Sequence, residues 1–117
     1  SRPLAGTGVG HAAYRGRARV ARHPEEAIER LEPGDVLVTP TTTPAFNAVL
    51  AIAGALVVEE GGLVSHAAIT ARELGLPAVV GVPGALAAIS DGDEVEVDPV
   101  AGRVSVVAAA GARPGDG

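Results

Sequence analysis

Three histidines, no lysine and no cysteine leave this chain few side chains able to form a covalent intermediate. Only His66 stands where local structure would favour such chemistry. It follows Ser65 and the run Gly61-Gly62-Leu63-Val64. Serine is a preferred N-cap, because its hydroxyl can accept from a free N–H of the first helical turn. A helix is therefore expected to start at Ser65 and to stop near Gly75 and Pro77. Ala68 stands three residues after Ser65, so a reciprocal capping box is absent. At about 100° per residue, Ala67, Ala71 and Leu74 fall on one side, and His66, Thr70 and Glu73 fall on the opposite, polar side. His66 is expected to point away from the core.

The first turn of a helix carries unpaired N–H groups and the positive end of the macrodipole, so anions are favoured there. A neutral imidazole in that position offers a ring nitrogen as a nucleophile at physiological pH. Once phosphorylated, the histidine would sit beside donors suited to a phosphoryl group. Gly61 and Gly62 would let the backbone approach that group without a Cβ in the way. Replacing Gly62 by valine is accordingly expected to slow phosphorylation while sparing the fold. The plainer alternative is that His66 is a tolerated first-turn residue and the glycines only make a turn.

The elements that must position His66 are legible on either side of it. Ala55-Leu56-Val57-Val58 is an apolar run suited to a strand buried on both faces, and Glu59-Glu60-Gly61-Gly62 is the loop leaving it. Val36-Leu37-Val38-Thr39 reads as a second such strand. A helix is expected from Pro44 to Ala53, with Thr43 as cap and Gly54 as stop. Strand, helix, strand, helix and strand from Val36 to Gly81 imply right-handed crossovers and parallel pairing. Loops leaving the carboxyl ends of parallel strands gather on one edge, where such sheets bind ligands. Those loops are Thr39 to Thr43, Glu59 to Ser65 and Gly81 to Gly84. Thr42 and Thr43 could thus bring hydroxyls near His66, with Thr70 a further expected neighbour. Ordinary capping and turn chemistry explains a threonine-rich loop equally well.

The stretch Gly61-Gly62-Leu63-Val64-Ser65-His66-Ala67-Ala68-Ile69-Thr70-Ala71-Arg72-Glu73-Leu74-Gly75-Leu76-Pro77-Ala78-Val79-Val80-Gly81 resembles the signature of the phosphohistidine, or swivelling, domain of phosphoenolpyruvate-utilising enzymes. That family includes phosphoenolpyruvate synthase, pyruvate phosphate dikinase, enzyme I of the sugar phosphotransferase system and rifampin phosphotransferase. The resemblance implies that His66 accepts a phosphoryl group and hands it on, with Gly61, Gly62 and Ser65 supporting the phosphoryl site. Many members carry threonine just before the Ser-His pair. This chain has Val64 there, which removes a second hydroxyl and weakens an assignment to the synthase or dikinase branch.

The remaining segments read as scaffold. Gly6-Thr7-Gly8-Val9-Gly10 is rejected as a dinucleotide fingerprint, since no strand precedes it and His11 holds the place of the third glycine; a glycine-rich opening segment or a turn fits better. His11 has no partner at metal-ligand spacing and reads as a loop residue. Ala12 to Ala21 alternates Tyr14, Ala18 and Val20 against Arg15, Arg17 and Arg19, the pattern of a half-exposed strand. The arginine face could meet an acidic partner or simply be solvated. His23 to Leu31 has proline and acids in its first turn and Arg30 near its end, which suits a short surface helix. Beyond Gly81, a brief alanine-rich helix leads to an antiparallel hairpin of Glu94–Asp98 and Arg103–Val107. Asp91, Asp93 and Asp98 do not fit a calcium-loop spacing and read as turn residues.

The 117 residues suit a single domain, 1–117, with flexible ends expected at about 1–10 and 108–117. The absence of lysine excludes Schiff-base chemistry, and the absence of cysteine excludes disulfides and thiolate metal sites. A net charge of −5 argues against a nucleic-acid or anionic-membrane surface. Ser1 to Gly10 lacks the apolar centre of a secretory signal, and the expected setting is cytoplasmic. The fold expected is α/β with a central parallel sheet, helices on one side and a smaller antiparallel layer; the resemblance makes this the three-layer β/β/α swivelling domain.

With no Walker loop and too short a chain for a nucleotide-binding domain plus a substrate barrel, the domain is not a complete catalyst by itself. No cofactor is expected on it. ATP and Mg²⁺ are expected in a donor domain, with a substrate or phosphoenolpyruvate/pyruvate-binding domain as second partner, in the same or another chain. Two functions follow: a phosphocarrier domain of a phosphotransferase, or a non-phosphorylated binding or regulatory module retaining the fold.

Overall fold

Branched and small apolar residues dominate β4 (Val36–Thr39), β5 (Ala55–Val58) and β6 (Ala78–Val80), and every residue of these strands is buried. Alternation along each strand divides them between two cores. Leu37, Leu56, Val58, Ala78 and Val80 face one cluster with Phe46, Val49, Leu50, Ala67, Ala68 and Ala71 from the helical segments. Val36, Val38, Ala55, Val57 and Val79 face the other, against Val95, Val97, Val104 and Ile89. The computed structural model describes residues 3–111.

Among the described residues, the strands are β1 (Leu4–Ala5), β2 (Thr7–Val9), β3 (Tyr14–Val20), β4, β5, β6, β7 (Glu94–Asp98) and β8 (Arg103–Ala108). The helices are α1 (Pro24–Arg30), α2 (Asn47–Leu50), α3 (His66–Leu74) and α4 (Ala85–Ala88). The fold is mixed α/β, a barrel-like sheet in the order β1-β8-β7-β3-β4-β5-β6-β2. Pairing is parallel from β3 through β6 and antiparallel elsewhere, as the alternation of strands and helices implies.

The opening segment, expected to be loose, is a closing strand. Leu4–Ala5 pairs with β8 and Thr7–Val9 pairs with β6, so one stretch joins both ends of the sheet order. Its glycines answer to backbone crowding. A Cβ on Gly8 would overlap Pro99 O, a Cβ on Gly6 would meet Val80 O, and one on Gly102 would meet Gly6 O at 2.6 Å. At the other end, Ala108 lies in β8 opposite Glu94, and Ala110 N–H donates to Asp93 Oδ1 at 2.7 Å. The rest of the expected C-terminal tail, 112–117, lies outside the described residues, as do residues 1–2.

Two helix expectations need correction. The helix expected from Pro44 to Ala53 is a 3₁₀ turn, Pro44–Phe46, followed by the single turn α2. Thr43 stands at its start without a side-chain cap bond. The chain leaves the helix early because its next groups pair with the turn that leads into β4: Gly34 N–H donates to Ile52 O and Gly54 N–H to Asp35 O, both at 2.9 Å. Gly54 serves packing, since a Cβ there would run into the Tyr14 ring.

In α3, Leu74 was expected on the core side but is 48% exposed, whereas Leu76 is 6% exposed. Gly75, at φ 67°, turns the chain left-handed, and Leu76 N–H returns to Ala71 O at 2.9 Å. That turn delivers Leu76 to the core in place of Leu74.

Several charged side chains find partners within the chain. Arg15 lies 3.8 Å from both Glu94 and Glu96 across the β3–β7 pair. Arg19 reaches Asp91 at 2.8 Å, and Arg30 pairs with the same carboxylate, tying α1 and β3 to the turn before β7. Asp93 accepts from Ser90 N–H, and Asp98 from Val100 and Ala101 N–H, which are turn roles. At the start of α1, Glu26 Oε1 accepts from Arg22 and His23 N–H. The Arg22 bond is the largest cause and holds its carboxyl below the ordinary value; desolvation opposes it, and the His23 bond and the field of Arg30 add to the lowering.

Candidate functional site at the start of α3

The parallel ladder does not stop at the strand ends. Glu59 N–H donates to Thr39 O at 3.1 Å, Glu60 N–H to Pro40 O at 3.0 Å, and Gly81 N–H to Glu60 O at 3.3 Å. The three loops leaving β4, β5 and β6 are thus stitched side by side at one edge of the sheet. This is the edge expected from the parallel order.

On that edge, Ser65 has extended backbone and caps α3 as expected. Its Oγ accepts from Ala68 N–H at 3.2 Å and donates to Gly62 O at 2.7 Å. The hydroxyl therefore binds the helix start to the loop on both sides. His66 is the first residue of α3 and is half-buried, neither sealed in the core nor fully exposed. Its Nδ1 lies 2.8 Å from Oγ1 of Thr42, whose residue is 7% exposed. With Nδ1 held by a hydroxyl, Nε2 is the ring nitrogen left for chemistry.

The threonine loop combines a contact to His66 with ordinary turn chemistry. Thr42 reaches His66, whereas Thr39 Oγ1 donates to Thr41 O within a turn and Thr43 is an exposed residue at the 3₁₀ start. Thr70 lies one turn beyond His66 on the same side of α3 and is half-buried. Neither Thr43 nor Thr70 hydrogen-bonds His66 among the described residues.

The paired glycines also differ. Gly61 has φ +100°, and a Cβ on it would meet Ser65 Oγ at 3.0 Å and Ser65 Cβ at 3.1 Å. Gly62 has an ordinary φ, and a Cβ on it would meet nothing within 4 Å. Two further residues hold the edge without having been singled out in the sequence. Arg72 Nη2 donates to Leu63 O at 2.9 Å, and Glu59 Oε2 accepts from Leu86 N–H at 2.9 Å, bracing α4. Both bonds link a side chain to a backbone group of another segment, so residue spacing carries no signal for them.

Chemically, the edge offers one nucleophilic nitrogen, a hydroxyl fixing its ring, and the N–H groups of a nine-residue helix. Among the described residues, no group of three His, Asp or Glu stands together as a metal site.

A family profile described as "PEP-utilising enzyme, mobile domain" matches residues 31–102, well over half of the chain and including every residue of this edge. The chain belongs to the mobile-domain family of PEP-utilising enzymes. This mobile domain is 49% identical over 89 residues to a phosphoenolpyruvate synthase of Aeropyrum pernix, covering 76% of the chain and 11% of the synthase. It is 42% identical over 104 residues to the rifampicin phosphotransferase of Bacillus cereus, covering 89% of the chain and 12% of that enzyme. Among solved structures, an Enzyme I solution structure superposes with a TM-score of 0.58 and 35% identity, over 66% of this chain and 32% of that one. The mobile domain thus spans about one tenth of the length of the two enzymes.

Proposed function

We propose that this mobile domain is a phosphocarrier of a phosphotransferase, with His66 taking a phosphoryl group in one active site and delivering it in another. The hydrogen bond between Thr42 Oγ1 and His66 Nδ1 carries the reading. When the Thr42 hydroxyl accepts from Nδ1–H, the lone pair resides on Nε2, and the ring is held in one orientation at the start of α3. Nε2 attacks the donor phosphorus; the P–N bond forms as the bond from phosphorus to the donor's leaving oxygen breaks. In the second half, an acceptor oxygen attacks phosphorus and the P–N bond breaks, returning the lone pair to Nε2. First-turn N–H groups of α3 favour the added negative charge. Gly61, Gly62 and Ser65 shape the loop beside it.

Membership of the family supports this role, and the short span relative to the matched enzymes supports partner domains. We assign ATP and Mg²⁺ to a donor domain, and the acceptor or phosphoenolpyruvate/pyruvate site to a second one, in a cytoplasmic enzyme. We further read the barrel-like sheet as the three-layer β/β/α swivelling arrangement, because the two cores lie on opposite faces of β4–β6. The test is incubation with ³²P-labelled ATP or phosphoenolpyruvate and the donor domain. Acid-labile label should appear on the peptide containing His66 and vanish in His66→Ala. Label on His11 or His23, or undiminished label in the variant, would overturn the reading.

A further inference from the structure

We infer that Gly81, at the far side of the sheet edge, is a positioning residue for His66; this rests on the carrier reading above. Gly81 has φ +65°, and a Cβ on it would lie 2.7 Å from the carbonyl oxygen of Gly61. The obstacle is backbone, which has no flexible end to swing away. Gly61 is itself confined. It occupies φ +100°, and Ser65 Oγ and Cβ stand 3.0 and 3.1 Å from the place its own Cβ would take. A carbonyl pushed from the Gly81 side therefore moves against Ser65.

Ser65 is the residue through which that push reaches the ring. Its hydroxyl joins Gly62 O to Ala68 N–H, and His66 is the next residue. The Nδ1 atom of His66 must meet a hydroxyl on a different loop, at 2.8 Å. Gly81 N–H also donates to Glu60 O, so the β6 loop both ties and spaces the loop that carries the histidine. A displacement of Gly61 that is passed through Ser65 to the first turn of α3 re-aims the ring of His66 relative to Thr42, and hydrogen bonds weaken steeply once their angle is lost.

Gly84 provides the internal control. It lies three residues further along the same exit from β6, with φ +78°, yet a Cβ there would meet nothing within 4 Å. Alanine at Gly84 carries backbone strain similar to alanine at Gly81 without touching Gly61.

The experiment compares the wild-type chain, Gly81→Ala and Gly84→Ala by ¹⁵N NMR of the His66 ring and by labelling with potassium phosphoramidate. In that reaction Nε2 takes the phosphoryl group as the P–N bond of phosphoramidate breaks and ammonia leaves. Wild type and Gly84→Ala should show one protonated and one unprotonated ring nitrogen with well-separated shifts. In Gly81→Ala the two shifts should converge as tautomers exchange, and labelling should slow by about tenfold or more. If Gly81→Ala fails to fold, Gly61→Ala carries the same test from the other side, since its Cβ presses directly on Ser65. Unchanged shifts and labelling in the folded glycine variant, or equal losses in Gly84→Ala, would overturn the inference. A wild-type chain that takes no label on His66 would count against the carrier reading, while the nitrogen shifts would still judge Gly81.

Discussion

Oγ1 of Thr42 lies 2.8 Å from Nδ1 of His66 across a separation of 24 residues, joining the loop after β4 to the first residue of α3. The contact exists because the parallel ladder runs on into the loops and sets them side by side.

Thr42→Val keeps the shape of the side chain and removes the hydroxyl. Phosphorylation of His66 should fall about tenfold or more, as when an orienting partner of a functional histidine is lost. Thr42→Ser should restore most of the rate. Because His66 is half-buried and water can replace the bond, stability should change by no more than about 1 kcal/mol. Rate and denaturant midpoint measured on both variants check this; a rate in Thr42→Val equal to wild type would remove Thr42 from the site.

Ser65→Ala removes the cap of α3 and its tie to Gly62 O. Urea unfolding should register a loss of about 1 kcal/mol. The hydroxyl is committed to backbone on both sides, so the phosphorylation rate should suffer through helix placement, and less than in Thr42→Val. A stability equal to wild type would contradict the capping role.

Gly61 and Gly62 should behave differently although they are adjacent. Gly62→Ala should leave stability within about 0.5 kcal/mol of wild type, since its Cβ enters open space at an ordinary φ. Gly61→Ala should cost about 1–3 kcal/mol from its left-handed φ. Thermal unfolding of the two variants reads the difference. Gly62→Val remains the variant expected to separate folding from transfer, with normal circular dichroism and slower phosphorylation.

Glu26 links α1 to pH. Its folded-state pKa is depressed from the ordinary 4.5, so its contribution is fully present above that value and is lost as pH falls through the lower folded one. The stability difference between wild type and Glu26→Gln should therefore shrink on acidification through this window. A difference independent of pH would mean that the carboxylate charge contributes nothing to the start of α1.

Local signals in the sequence located the elements that depend on local chemistry. Ser65 and Gly75 bound α3, the buried runs of β4, β5 and β6 pair in parallel, and the β7–β8 hairpin forms where alternation placed it. Features that depend on distant backbone were not legible. Nothing around Gly8 announces Pro99, and nothing around Gly81 announces the Gly61 carbonyl. Periodicity put Leu74 on the core face because it takes no account of the left-handed turn at Gly75, which hands that role to Leu76. At the site the sequence offers both Thr42 and Thr43 as neighbours of His66, and only the side-by-side setting of the loops after β4 and β5 selects Thr42.

The position of the phosphoryl group on the ring tests the carrier chemistry most directly. The 117-residue chain is treated with potassium phosphoramidate, digested under alkaline conditions, and its phosphohistidine assigned by ³¹P and ¹H NMR and by peptide mapping. A single phosphohistidine on Nε2 of His66, absent from His66→Ala, is the expected result. Phosphate on Nδ1 of His66, label confined to His11 or His23, or a chain that takes no phosphate while the free amino acid does, would contradict it.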